Sequence, residues 1–120
     1  MMPERNAPST AQIKAEIKKE LLQVHRDSYG TGADGIEVHL ADEMVLAVID
    51  VELTAAERTL LAAGQSDAVK AAREAFQDVI APTFIAIVER ATGRTVHSFI
   101  SSLNIDPLYS IEFFRLAPEA

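Results

Sequence analysis

The stretch IEVHLADEMVLAVIDV, residues 36 to 51, limits the possible folds more than any other part of the chain. Ile36, Val38 and Leu40 alternate with Glu37 and His39, the period of a strand with one buried face. Asp42-Glu43 is a short polar turn, and MVLAVIDV at 44 to 51 is apolar at odd and even positions alike, which predicts a central or doubly covered strand. Two strands joined this tightly run antiparallel, and a lone hairpin is not stable in water, so helices or further strands must cover it.

The rest of the chain supplies both. Ser9 or Thr10 can cap a helix over about residues 10 to 28, whose Ile13, Ile17, Leu21 and Val24 share one face. Thr54 and Glu57 have the capping-box spacing and open a short helix that Gly64 ends. From Ser66 a longer helix is expected to Thr92, with Val69, Ala72, Phe76, Val79, Ile80, Phe84, Ile87 and Val88 in helical period and Gly93 as its C-terminal cap. Pro82 lacks the amide proton, so a kink or a break is expected there. The β-branched and aromatic residues of 95 to 103 and 108 to 116, joined by Asp106-Pro107, read as a second hairpin. The order αββααββ predicts an α+β fold in two layers, a four-stranded antiparallel sheet from two hairpins with helices packed on it, and allows two related αββ halves. Residues 1–9 and the APEA terminus read as loose ends, and 10–117 as one domain.

YGTGADG, 29 to 35, contains the G-x-G-x-x-G spacing of a dinucleotide site. That fingerprint needs a strand before it and a helix after it, so that phosphate meets free amides at a helix N-terminus. Here a helix C-terminus precedes and a strand follows, so the glycines are expected to stop the helix, with a positive φ at one or more of Gly30, Gly32 and Gly35.

A net charge of −7 opposes binding to nucleic acid. The absence of Cys excludes disulfides and thiol chemistry. The longest apolar run, 44 to 49, is far short of a membrane span, and no signal pattern opens the chain, so a cytoplasmic protein without direct membrane insertion is expected. No cofactor motif occurs. His39 and His97 lie in strands and could approach across a sheet, with Asp42 or Asp106 beside them, but the spacing does not call for a metal. Ser98, Ser101 and Ser102 lack a nucleophile elbow. Of the carboxylates near strand ends, Asp50, Glu52, Asp106 and Glu112, the last alternates with Ile111 and Phe113 and reads as outward-facing, while Asp106 caps the turn. Apolar residues on both faces of the strands imply that helices cover both sides of the sheet or that a second chain covers one, as in a homodimer.

YGTG at 29 to 32, LTAAERTLLAAG at 53 to 64, VKAAREAFQ at 69 to 77 and VERATGRTVHSFISSLNIDPLYSIEFFRL at 88 to 116 resemble the MpsC-like family, small bacterial domains named for a component of a sodium-translocating, membrane-potential-generating system. The resemblance implies association with a membrane system that moves sodium or supplies inorganic carbon. It picks out Gly30, Gly64, Phe76, Gly93 and Pro107 as structural positions, Phe76 as an aromatic core anchor, and also Arg73, Gln77, Arg94 and Asp106. No catalytic motif comes with it, which implies a non-catalytic accessory or regulatory protein, homodimeric or bound to transport subunits, and peripheral to a membrane complex. Arg73 is expected in an ion pair and Arg94 on last-turn carbonyls. A second reading makes Arg73, Arg94, His97 and Asp106 ligand-binding residues of an anion sensor or a modest acid–base enzyme, with a pocket between sheet and helices.

Overall fold

A computed structural model describes residues 8–30 and 33–118. The elements are α1 (Thr10–Tyr29), β1 (Ala33–Ala41), β2 (Met44–Val51), α2 (Ala55–Ala62), α3 (Ser66–Thr92), β3 (Val96–Asn104) and β4 (Tyr109–Leu116), the expected α+β order. Both hairpins form, and they join along their second strands into an antiparallel sheet of order β1-β2-β4-β3. The chain is thus laid out as two αββ units meeting where β2 pairs with β4. The loose N-terminus expected over 1–9 lies, up to residue 7, outside the described residues.

Local chemistry sets the helix ends. The Ser9 hydroxyl accepts from the Gln12 amide while the Gln12 side chain accepts from the Ser9 amide, and Thr54 and Glu57 repeat this box at α2. Gly30 closes α1 with φ 72°, its amide donating to the Arg26 carbonyl, and Gly93 closes α3 in the same way at φ 70°. Gly32 lies outside the described residues, and Gly35 sits in β1 beside a register shift opposite Asp50. The helix stop therefore rests on Gly30. A Cβ there would meet nothing within 4 Å. Gly30→Ala is accordingly expected to cost about 1 kcal/mol, from backbone strain alone, in urea unfolding.

Pro82 does not break α3, which runs unbroken for 27 residues. Pro82 and Asp78 are both exposed, so the carbonyl that loses its donor can turn to water, and the apolar residues on the opposite side hold the helix to the sheet. Those residues are Phe84, Ile87, Val88 and Ala91. Phe84 meets Phe99 edge-on at 6.3 Å, and Phe99 stacks on Phe114 at 4.8 Å.

The core lies on one face of the sheet. Ile36 and Val38 of β1, Val45, Ala47, Ile49 and Val51 of β2, and Phe114 and Leu116 of β4 are buried there with Ile17 and Leu21 of α1. The alternate positions form the other face: Leu46 opposite Phe113, Val48 opposite Ile111, and Ile100 opposite Phe113. The first four are half-buried, and Ile100 is 58% exposed. MVLAVIDV is therefore a central strand, but the helices cover only one of its faces.

Candidate functional site

Along the first half of α3 the buried face is polar. Val69 is followed by Arg73 and Gln77 at helical spacing, whereas Ala72, Phe76 and Val79 of the expected stripe are exposed. Phe76 is not the core anchor expected of it; it is 46% exposed and leans on the Tyr29 ring at 5.1 Å. Tyr29, the last residue of α1, occupies the place where an aromatic anchor was expected from α3.

Arg73 is 3% exposed and joins three elements. Its Nε donates to Glu57 Oε2 at 2.6 Å and its Nη2 to Glu57 Oε1 at 2.8 Å, a two-toothed pair with α2. Nη2 also donates to the Glu52 carbonyl at 3.2 Å, and the guanidinium lies 4.1 Å from the centre of the Tyr29 ring. The expected ion pair is present, and Glu57 serves it and the α2 cap together. Burial works to raise the Glu57 carboxyl, but the Arg73 and Thr54 hydrogen bonds outweigh it and hold the group below its ordinary value. Tyr29 accepts from Gln77 Nε2 at 3.1 Å and stacks against His25, itself 1% exposed, at 4.8 Å. Burial raises the Tyr29 hydroxyl against the opposing pull of Arg73.

Glu112 is fully buried, a correction to its expected outward position. The inward set of β4 is Ser110, Glu112, Phe114 and Leu116, because Phe114 fills the space between Phe99 and Val45, and a period of two then carries Glu112 inward. Facing it from β3, the Ser101 hydroxyl lies within hydrogen-bonding reach of both carboxyl oxygens, 2.6 Å from Oε1 and 2.9 Å from Oε2. Burial pushes the Glu112 carboxyl up to about 8, against the lowering effects of Ser101 and Arg73. At neutral pH it is a neutral acid.

Above this cluster, between α3 and the β3–β4 hairpin, opens a cleft of about 90 Å³ lined by Lys70, Arg73, Glu74 and Gln77 of the helix and by Ser101, Ser102, Leu103 and Ser110 of the hairpin. Of the four residues singled out as ligand-binding, only Arg73 reaches it. Arg94 lies 21 residues further on, about 30 Å along the helix axis, where its guanidinium donates to the carbonyls of Asp42 and, at 2.8 Å, Ala117. It staples the β1–β2 turn to the end of β4 and not to the last turn of α3. His97 is exposed on β3. Asp106 is exposed in the β3–β4 turn, joined by a cis bond to Pro107, whose carbonyl accepts from Asn104 Nδ2 at 2.6 Å. His39 and His97 do not meet: β1 and β3 are opposite edges of the sheet, about 14 Å apart at the usual strand spacing.

Sequence reasoning missed Tyr29, Glu57, Gln77 and Glu112 as one cluster. The available signal was the i, i+4 pair Arg73 and Gln77 in phase with Val69 and Phe84.

No helix among the described residues is long and apolar enough to cross a membrane. No curated protein and no solved structure matches the chain. A family model does, over residues 9–117, described as Na+-translocating membrane potential-generating system (MpsC). With nearly its whole length covered by that match, the chain belongs to the MpsC family.

Proposed function

We propose that the protein is a non-catalytic accessory or regulatory part of a sodium-translocating, membrane-potential-generating system, acting from the cytoplasm through protein contacts. The observation that carries this reading is the open sheet face, where Leu46, Phe113 and Ile100 form a row across β2, β4 and β3 with Val48 and Ile111 beside it. An apolar row this continuous is suited to burial against another protein. Family membership supplies the kind of system the partner belongs to.

The first occupant of this face, on this proposal, is a second copy of the chain. Acidic Glu37 and Asp50 lie toward one end of the face, and Arg115, paired with Glu43 at 3.2 Å, lies at the other, opposite Met44. A two-fold axis through the centre stacks the apolar rows on each other and sets each copy's Glu37 and Asp50 near the other's Arg115–Glu43 pair, where Arg115 can be shared between carboxylates. The dimer then presents two copies of its remaining surface to the transport subunits.

Light scattering at micromolar concentration is expected to give a dimer. Phe113→Glu, which places a charge at the centre of the face, is expected to dissociate it with at least about a hundredfold rise in Kd. A monomeric wild type would remove the dimer. A crosslinked pull-down from native membranes that recovers no transport subunit would remove the accessory role.

A further inference from the structure

The cleft over Ser101 has no part in that reading, and its chemistry stands independently of the sheet face. We infer that it binds a small oxyanion and takes up a proton on Glu112 as it does so.

The lining argues for an anion. Lys70 and Arg73 bring two positive charges to a space of about 90 Å³, room for a few waters or one small ion, against the Glu74 carboxylate in the lining and the Glu57 carboxylate paired behind Arg73. Arg73 spends three of its five donors through Nε and Nη2 on Glu57 and the Glu52 carbonyl, which fixes the plane of a guanidinium that also lines the cleft. Ser101 and Ser110, which share the inward face of the hairpin, add hydroxyls from the sheet side, while Ser102, paired with Ile111 of the other face, lines the cleft without turning its side chain into it. Tyr29 and Glu57 hold the guanidinium from behind, so the positive charge is positioned before any ligand arrives.

The proton follows from what lies beneath Ser101. Arg73 of α3, Ser101 of β3 and Tyr29 of α1 act on Glu112 directly; around them stand His25 against Tyr29, Glu57 of α2 paired to Arg73, and Lys70 and Glu74 in the cleft lining. From β2 its partner is uncharged Ala47. An ionised Glu112 accepts a hydrogen bond from the Ser101 hydroxyl, which holds that donor away from the cleft, and repels an anion above. A protonated Glu112 can donate to Ser101 Oγ, which frees the Ser101 hydroxyl to donate into the cleft. One proton from solvent therefore removes a like charge and turns a donor toward the ligand. An anion in the cleft favours the protonated form in return, by linkage.

Titration calorimetry with sulfate and nitrate, neither of which titrates in the working range, tests this on the full chain. Binding is expected at pH 6.5 with millimolar or tighter Kd, weakening about tenfold per pH unit once the pH exceeds the carboxyl's value near 8. Repeating the titration in buffers of different ionisation heat is expected to show close to one proton taken up per anion above that value and almost none at about pH 6. Glu112→Gln is expected to bind with no pH slope and no proton uptake. Lys70→Gln, a change at an exposed residue, is expected to weaken binding up to about fivefold without altering the fold. Ser101→Ala serves if the Gln variant does not fold, and is expected to bind more weakly and to show the pH slope displaced to higher pH, since the hydrogen bond that lowers the Glu112 value is gone. The absence of heat and of any melting shift with both anions at pH 6.5 would overturn the site. Binding with the same pH slope in wild type and Glu112→Gln would overturn the proton.

Discussion

Replacing Glu112 by Gln is expected to stabilise the protein at neutral pH by an amount on the order of 3 kcal/mol, and to do little near pH 4.5. The sign comes from the direction of the shift. Burial holds the carboxyl's folded value near 8 against an ordinary 4.5. Below 4.5 the group is protonated in both states and its contribution to stability is fully present. As the pH rises above that, the unfolded chain releases the proton and the folded chain keeps it, so stability falls by about 1.4 kcal/mol per unit until the folded group ionises as well. Gln keeps the shape and can accept from Ser101, but it has no charge for the unfolded chain to gain. Melting curves between pH 4.5 and 9 check this: the variant's advantage grows to roughly 10 °C by pH 7 in a domain of this size. An equal difference at all pH values would show that Glu112 folds ionised. Glu57 works in the opposite sense. Its value is lowered, so its contribution is present above the unfolded value and is lost as the pH falls through the folded one, which gives the protein an acid limb of its own.

The second large effect is expected at Arg73. Arg73→Met removes the only charge paired with Glu57 among the salt bridges of the described residues, leaving a carboxylate whose side chain is 12% exposed with no opposite charge, and takes the Arg73 hydrogen bond from the Glu52 carbonyl. Breaking a buried pair from one side costs about 3–5 kcal/mol, much of the total stability of a small domain. Adding Glu57→Gln to Arg73→Met is expected to recover more than half of the loss. Gln keeps the capping box on Thr54 and carries no charge to strand. Arg73→Lys keeps the charge but not the fork, and is expected to lie between wild type and Arg73→Met. Urea unfolding of the four proteins separates these cases; equal stability of Arg73→Met and the double variant would show that the unpaired Glu57 carboxylate carries no penalty.

Much of the fold was legible because its signals are local. Capping residues at Ser9 and Thr54, glycine stops at Gly30 and Gly93, and polar turns at Asp42-Glu43 and Asp106-Pro107 each act within a few residues, and α1, α2 and both hairpins lie where those signals put them. The site was legible only at Arg73. Glu57 was readable as a cap but not as a partner, because the second role depends on a residue 16 positions away. Phase was the other gap. In β4, Ile111 and Phe113 offer one apolar face, and Phe114 and Leu116 offer another. In α3, Ala72, Phe76 and Val79 compete with Val69 and Ile80 in the same way. Hydrophobicity alone does not rank two such faces.

What the sequence by itself determined is therefore the list of elements, their order and their ends, all governed by contacts that span less than one helical turn or one hairpin. The tertiary structure decided strand order, which placed His39 and His97 on opposite edges, and it decided which face of β4 turned inward. Once Phe114 was seated against Phe99, the two-residue period of the strand carried Glu112 beneath Ser101, and the helical period of α3 brought Arg73 over the end of α1. A buried acid and a buried cation came together because elements distant in sequence had to share one core.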